Sequence, residues 1–262
     1  MNGRENTVRS ARSRGCPNSQ QIRTSERTRS PQIDDDIVVP QKPTPPLQVW
    51  QSCDVLSGMS RLEHWEHVHR NKPVDEVSWY APHLNRSIDL VRRTGATAAS
   101  AIVDVGAGTS TLADDLTIAG YTNVAVMDLS FVALQLSRER LGTSAANVKW
   151  IQGDVISAPF LPNSVDVWHD RAVFHFLTRP DDRAAYVETV HRAVRPNGHV
   201  IIATFGPDGP TRCSGLDVMR YSPEQLHGEF GSGFRLIEHT EEAHRTPFGT
   251  EQQFVYCYCR VS

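Results

Sequence analysis

Three aspartates lie at or near the ends of successive short apolar runs, where they could bind one polar ligand together. Asp104 lies inside the first run, Asp128 ends the second, and Asp154 follows the third. A carboxylate accepts hydrogen bonds from hydroxyl, amino and ammonium groups. We therefore expect a ligand that carries such groups, bound where these three side chains converge.

A glycine-containing loop, Gly106-Ala107-Gly108, follows Asp104. Glycine allows the backbone to approach a ligand closely, and the start of the next helix offers free N–H groups. Asp128 comes 22 residues after Gly106, a spacing at which a carboxylate can bind both hydroxyls of a ribose. Val155, beside Asp154, is placed to contact an adenine, so the pattern predicts a nucleoside site.

Two features distinguish between nucleoside cofactors. A dinucleotide-binding loop has a third glycine where this chain has Thr111. Asp104 is unfavourable beside a diphosphate but favourable beside the ammonium of a methionine moiety, because opposite charges attract strongly in a poorly solvated cleft. The residues therefore favour S-adenosylmethionine over NAD.

The elements that must position these residues alternate between strands and helices. The predicted strands are 101–105, 124–128, 148–154, 165–170 and 199–205, and the predicted helices are 111–120, 131–141, 181–194 and 222–230. Such alternation indicates β-α-β units and a parallel sheet. Two extended runs, 235–245 and 252–261, have no helix between them and predict an antiparallel hairpin. The predicted fold class is α/β: a Rossmann-like, doubly wound, mostly parallel seven-stranded sheet with an antiparallel C-terminal edge hairpin.

Composition divides the chain of 262 residues into two parts. Residues 1–46 are rich in Arg, Ser and Pro and are expected to form a disordered leader, because they have little apolar surface to bury. Residues 47–262 are expected to form the folded domain. Seven Arg and two Glu give residues 1–30 a charge of +5, so the net charge of −3 leaves −8 on the rest.

The acidic body gives no general basis for binding nucleic acid, so no nucleic-acid partner is expected. No apolar stretch is long enough to span a membrane. The five scattered cysteines lack C-x-x-C spacing, which fits a reducing compartment. We expect a cytoplasmic protein, with organelle targeting by the leader as an open alternative. The sequence does not predict an oligomeric state.

Taken in order, these motifs resemble those of class I S-adenosylmethionine-dependent methyltransferases. The resemblance covers about residues 62–262 and includes the glycine loop, the three aspartates and the segments 165–171 and 195–198. Ser110 departs from the third glycine found in many members. The resemblance implies S-adenosylmethionine as the cofactor, held by Asp104, Gly106, Ala107, Gly108, Asp128, Asp154 and Val155.

A closer likeness is to the lysine methyltransferases of translation elongation factor 1A. It rests on Trp65 with His69, the pair Trp79-Tyr80, and the run 170–172. It implies that Trp65, His69 and Trp79 cap the cofactor and that Arg171 contacts it. The pair Trp79-Tyr80 could equally be ordinary core. Residues 172–177 depart clearly from the family motif, so the identity of the substrate does not transfer.

Candidate catalytic residues follow the strand at 165–170. His175 is the candidate general base, since imidazole titrates near neutrality, and Asp170 could orient a nucleophile or contact the cofactor. The alternative for His175 is a core histidine between two phenylalanines. His64, His67 and His69 have no accompanying Cys or carboxylate pattern, so no metal site is predicted.

The acceptor of the methyl group stays open between two classes. A small-molecule acceptor is the first hypothesis, because no protein-docking module is evident, and a protein lysine is the alternative. A non-catalytic cofactor-binding protein and an NAD-dependent oxidoreductase are hypotheses of other classes. Nucleobase methylation is disfavoured, since the strand at 165–170 lacks an Asn-Pro-Pro-Tyr type of motif.

Overall fold

The computed structural model describes residues 37–38 and 59–262. The described residues belong to one compact unit, Asp34–Ser262. Of the predicted leader, only Ile37–Val38 lies within the described residues, and it forms a two-residue strand. The expected disorder of residues 1–46 and the domain boundary at residue 47 otherwise concern residues outside the described part.

Helices and strands alternate along most of the chain. The helices are α1 (Arg61–Asn71), α2 (Asn85–Arg93), α3 (Leu112–Ile118), α4 (Phe131–Leu141), α5 (Pro180–Ala193) and α6 (Pro223–Phe230). The strands are β1 (Ile37–Val38), β2 (Ile102–Val105), β3 (Val124–Asp128), β4 (Val148–Gln152), β5 (Val165–Arg171), β6 (Val194–Phe205), β7 (Arg212–Cys213), β8 (Leu216–Asp217), β9 (Phe234–Arg245) and β10 (Glu251–Val261).

The main sheet has the strand order β1-β4-β3-β2-β5-β6-β10-β9. All pairs from β1 to β6 are parallel, and β10 is antiparallel to both β6 and β9. The predicted fold class is therefore confirmed, with β1 as a short additional edge strand. The order of the strands reverses at β2, because β3 and β4 lie on one side of it and β5 and β6 on the other. Open α/β sheets bind their ligands at such a reversal point.

Helices cover both faces of the sheet because side chains alternate along each strand. In β2, Ile102 packs in the core shared with α2 and α3, whereas its neighbour Val103 packs in the core shared with α5 and α6. The strands of this sheet are therefore apolar on both faces. No helix among the described residues is long and apolar enough to cross a membrane.

Most predicted boundaries lie within one or two residues of the structure, and the start of the fifth strand differs most. We expected the fifth strand to begin at residue 199, but β6 begins at Val194. Val194 already pairs with Val165, and the register then shifts before His199 pairs with Val167. The turn at 195–198 is therefore an irregularity inside the strand, with Asn197 at a φ of 63°.

Candidate active site

A cavity lies at the carboxyl ends of β2, β3, β4 and β5, beneath α1. Its lining includes most of the residues that the sequence singled out for a cofactor: Trp65, His69, Trp79, Gly106, Gly108, Asp128, Asp154, Val155 and Arg171. Asp104 and Ala107 line a second, smaller cavity that shares Trp79, Gly106 and Arg171 with the first. The predicted cofactor residues therefore converge on two adjoining cavities.

The glycine loop is shaped by close contacts that only glycine permits. Gly106 has a φ of +57°, and a Cβ added there would lie 1.8 Å from Cγ2 of Val173. A Cβ at Gly108 would lie 3.2 Å from Cε1 of His69. The N–H of Ala107 donates to the carbonyl of Met127 at 3.1 Å, which ties the loop to β3.

Asp128 is buried at the end of β3 with half of its hydrogen-bonding capacity in use. Oδ2 accepts from the N–H of Gly108 and Oδ1 from the N–H of Ser130, both at 2.7 Å. Burial raises the pKa of Asp128, while His69 and the two N–H donors act in the opposite direction. A carboxylate has about four acceptor positions, so about two stay free for hydroxyl groups of a ligand.

Asp154 follows β4 and is held across the cavity by α1. Its Oδ2 lies 3.0 Å from Nη2 of Arg61, and both side chains are partly exposed. Arg61 also lies 3.9 Å from Asp182. Arg61 was not among the predicted site residues, although it lies four residues before Trp65 and hence on the same face of a helix.

Only one of the two carboxylate oxygens of Asp104 has a hydrogen-bond partner among the described residues. Its Oδ1 lies 2.7 Å from Nδ1 of His169, whose Nε2 lies 2.8 Å from Oγ of Ser87. All three residues are buried. Oδ2 of Asp104 is also buried, and no described residue hydrogen-bonds to it. An unsatisfied buried carboxylate oxygen is costly, so this atom is suited to a donor from a ligand.

Arg171 has a buried hydrogen-bond donor without a partner among the described residues, which complements the free acceptor of Asp104. Nε donates to the hydroxyl of Tyr256 and Nη1 donates to the carbonyl of Trp79, both at 3.2 Å. The guanidinium lies 4.1 Å from the ring centroid of Phe254. Nη2 is buried, and no described residue accepts from it. A free donor on Arg171 and a free acceptor on Asp104 match the carboxylate and ammonium of an amino-acid moiety, so the two cavities fit S-adenosylmethionine.

Aromatic side chains from α1 and the following loop cover the larger cavity. The ring of Trp65 lies 6.1 Å from the rings of both His69 and Trp79, and 5.0 Å from the ring of Phe176. Burial lowers the pKa of His69, while Asp128 acts to raise it. The predicted cap therefore lines the cavity, together with Phe176, which was not among the predicted site residues.

Asp170 and His175 lie elsewhere, which corrects the expectation that they face the acceptor. Asp170 accepts hydrogen bonds from the N–H groups of Val173 and Phe174 and from the hydroxyl of Tyr186, at 2.9, 3.1 and 2.6 Å. Burial raises its pKa to about 6. These bonds fix the loop after β5.

His175 is fully buried beside Phe205, from whose N–H its Nδ1 accepts at 3.3 Å. Burial, reinforced by Arg171, lowers its pKa to about 3, so the imidazole is neutral near pH 7. The described residues that line the two cavities include neither His175 nor Asp170. Neither side chain is placed to receive a proton from an acceptor there.

Fold, site and sequence together define the class of this protein. Residues 103–202 match a family model described as a methyltransferase domain. Together with the fold and the site, this match identifies the chain as an S-adenosylmethionine-dependent methyltransferase whose cofactor is S-adenosylmethionine, and the predicted resemblance to the class I methyltransferases is confirmed.

Similar proteins act on different acceptors. Human EEF1A lysine methyltransferase 2 is 24% identical over 200 residues, which are 70% of this chain and 78% of that protein. Malonyl-[acyl-carrier protein] O-methyltransferase of Halalkalibacterium halodurans is 30% identical over 132 residues, 49% of this chain and 47% of that protein. A ubiquinone/menaquinone biosynthesis C-methyltransferase of Roseobacter denitrificans is 29% identical over 141 residues, 53% of this chain and 50% of that protein. The chain thus spans about half the length of these two bacterial relatives.

Solved structures show the same fold. One described as "Conversion of a Disulfide Bond into a Thioacetal Group during Echinomycin Biosynthesis" has a TM-score of 0.62 and 19% identity, and covers 77% of this chain and 92% of that chain. Phospholethanolamine N-methyltransferase 2 of Haemonchus contortus, solved with S-adenosylhomocysteine, has a TM-score of 0.53 and 18% identity over 68% of this chain and 52% of that chain. At these identities the likeness concerns the fold alone.

Proposed function

We propose that this methyltransferase acts on a small-molecule acceptor bound beneath α1. The observation that carries the proposal is the position of α1, which lies across the cavity and is joined to its far side by the ion pair between Arg61 and Asp154. The contact between Trp65 and Phe176 also covers the end that follows β5. An acceptor that fits inside such a cavity is small.

The cofactor assignment follows the groups left free in each part of the site. Asp128 binds the ribose hydroxyls, and Asp154 and Val155 contact the adenine. The free atoms of Asp104 and Arg171 bind the ammonium and carboxylate of the methionine moiety. When bound, S-adenosylmethionine supplies an electrophilic methyl group on a sulfonium.

The described side chains contribute mainly alignment and exclusion of water. The loop Gly106-Ala107-Gly108 gives a close backbone surface, and Trp65, His69 and Trp79 cover the site. Holding two reactants in one orientation can by itself contribute effective molarities of about 10⁵ M or more. No proton acceptor is required for the alignment, so the protein can promote transfer without His175 or Asp170.

A protein lysine is the second candidate acceptor. It is favoured by the 24% identity to EEF1A lysine methyltransferase 2, which extends over 70% of the chain. Incubating the full chain with radiolabelled S-adenosylmethionine and a crude lysate distinguishes the two candidates. Label in low-mass extract supports the small-molecule acceptor, and label confined to protein bands supports the lysine.

The cofactor assignment is tested by titrating the protein with S-adenosylhomocysteine in a calorimeter. We expect Asp128→Ala to weaken binding about 100-fold, since two charge-assisted hydrogen bonds contribute about 3 kcal/mol. Asp128→Asn keeps the shape of the side chain and should weaken binding about tenfold. The exposed Asp217 gives a matched control, and Asp217→Ala should bind like wild type. Unchanged affinity in both Asp128 variants would refute the ribose assignment.

A further inference from the structure

The part of the larger cavity beside the loop after β5 is almost entirely apolar. We call it the acceptor pocket, and it consists of Ala172, Val173, Phe176 and Leu177 of that loop with Trp65 of α1 and Cys213 of β7. It lies on the opposite side of the glycine loop from Asp128 and Asp154, because β2 separates β5 from β3 and β4. This placement leaves the pocket for the acceptor once the nucleoside occupies the ends of β3 and β4.

No described residue of the acceptor pocket can take a proton near neutral pH. Cys213 is the one pocket member with a titratable group, and burial raises the pKa of its thiol, so it stays protonated. The carboxylates elsewhere in the cavity have other partners: Asp128 accepts from two backbone N–H groups and, in the proposed cofactor assignment, from the ribose hydroxyls, and Asp154 pairs with Arg61.

His69 is the remaining imidazole of the cavity, and it lies at the ribose end. A Cβ at Gly108 would be 3.4 Å from Nε2 of His69 and 3.7 Å from Oδ2 of Asp128. His69 is therefore a neighbour of the glycine loop. The rings of Trp65 and Trp79 pack beside it, and the ring of Trp65 contacts both His69, at 6.1 Å, and Phe176 of the acceptor pocket, at 5.0 Å.

An acceptor in a pocket without a base must provide its own reactive lone pair. Phenols and aliphatic amines are almost wholly protonated at neutral pH, since their groups titrate near pH 10. A carboxylic acid is ionised at neutral pH and would have to enter the pocket as an anion, at a cost of several kcal/mol without hydrogen-bond donors, and the pocket provides few. A thiol enters as a neutral small hydrophobe, and the few per cent that is thiolate at pH 7 is intrinsically very nucleophilic.

We propose, building on the proposed function, that the acceptor is a small apolar thiol and that the reaction is S-methylation. The thiol proton is lost to solvent before transfer. The sulfur–methyl bond of the acceptor forms as the bond between the methyl group and the sulfonium breaks, and the electron pair of that bond stays on the former sulfonium. A methyl thioether and S-adenosylhomocysteine result. Because the opposite charges of thiolate and sulfonium vanish in the products, apolar walls favour this step over one that creates charge.

The proposal is tested with aromatic acceptors that differ in the nucleophilic group. The full chain is incubated at pH 7 with S-adenosylmethionine and, in turn, benzenethiol, phenol, benzoate or N,N-dimethylaniline, and the methylated product is measured by mass spectrometry. We expect benzenethiol to be methylated at least tenfold faster than each of the others. Faster methylation of the phenol, the carboxylate or the tertiary amine would overturn the proposal.

The pH dependence of kcat/KM for two thiols distinguishes ionisation of the acceptor from ionisation of a base in the protein. With 1-butanethiol and benzenethiol, whose pKa values differ, the half-point of kcat/KM should move with the pKa of the thiol used. Below that pKa the rate should rise about tenfold per pH unit, as the thiolate fraction does. A half-point that is the same for both thiols would indicate a titrating group of the protein and would contradict the proposal.

A matched pair of variants tests the pocket itself. Phe176→Ala should raise KM for benzenethiol at least tenfold and leave the affinity for S-adenosylhomocysteine within about twofold. Phe248 is 64% exposed on the loop between β9 and β10, and Phe248→Ala should match wild type in both measurements. If Phe176→Ala leaves KM unchanged, the acceptor does not bind where we propose.

Calorimetry with S-adenosylhomocysteine separates failure of this inference from failure of the proposed function. If wild type binds S-adenosylhomocysteine but methylates no thiol, the thiol inference is overturned and the cofactor site stands. If wild type does not bind it, the proposed function fails and the thiol inference fails with it.

Discussion

Gly106 shows how strongly a single residue can constrain the cofactor loop. Two independent costs oppose any side chain there: a φ of +57°, and a Cβ position 1.8 Å from Cγ2 of Val173. Gly120 has a comparable φ of +89° but no atom within 4 Å of a Cβ position. The close contact with Val173 is therefore the main difference between the two glycines.

We expect Gly106→Ala to destabilise the protein by about 3 kcal/mol or more, because backbone strain and overpacking add. Gly120→Ala should cost only the backbone part, about 1 kcal/mol. Urea denaturation of both variants measures the difference. The double variant Gly106→Ala with Val173→Ala should recover part of the loss, and a single-variant cost equal to that of Gly120→Ala would contradict the steric explanation.

His175 makes a prediction about stability at acid pH. Its folded-state pKa of about 3 lies below the unfolded value of 6.5. Its contribution to the free energy of unfolding is therefore complete above pH 6.5 and is lost as the pH falls toward 3. Between pH 7 and pH 5 wild type should lose about 2 kcal/mol from this group. His175→Gln should lack that loss in denaturation curves measured at both pH values.

The exposed His67 supplies the control, and His67→Gln should keep the wild-type pH dependence. Asp170 has the opposite effect on the pH dependence of stability. Because its pKa is raised to about 6 in the folded protein, its contribution to the free energy of unfolding decreases as the pH rises through that value. It is present in all three proteins and therefore cancels in the comparison. Parallel pH dependences for wild type and His175→Gln would show that the imidazole is not held neutral in the folded protein.

At the scale of elements, α1 is held over the cavity by contacts with α4 as well as with Asp154. Oε1 of Glu66 accepts from the N–H groups of Phe131 and Val132 at 2.6 and 3.3 Å, at the positive end of α4. Ser60 and Glu63 form a capping box that starts α1. The helix that covers the site is thus fixed by its own cap and by the end of a neighbouring helix.

We expect Glu66→Gln to weaken this attachment by about 1 kcal/mol, because the charge at the helix end is lost while the shape is kept. Amide hydrogen exchange along α1 should become several-fold faster. Glu139→Gln removes an exposed charge from the other end of α4 and should leave exchange in α1 unchanged. Equal exchange in wild type and Glu66→Gln would show that Asp154 and the aromatic contacts hold α1 alone.

At the scale of the whole molecule, the order of elements was predictable and the partners of individual side chains were not. Short apolar runs rich in β-branched residues identify β2 to β6. Asp128 ends one of these runs, which places it at the cavity. Asp170 was predicted as a catalytic candidate, but neighbours on a strand point to opposite faces and the sequence does not say which face holds the ligand. In the structure His169 contacts Asp104, and Asp170 lies under Tyr186.

Contacts between distant parts of the chain were also beyond sequence patterns. Arg61 and Asp154 are 93 positions apart, and only the fold brings them together. The same holds for Phe176 and Trp65, which approach each other because the loop after β5 turns back under α1. Local periodicity contains no information about such pairs.

The order of the last two strands has a consequence for how the protein is synthesised. β9 is made before β10, yet β10 is the neighbour that joins β9 to the rest of the sheet. While the ribosome is still producing residues 251–261, the twelve residues of β9 have no sheet partner. The Glu, His and Arg side chains along β9 would limit its association with other nascent chains during that interval, as charged residues do on natural strand edges.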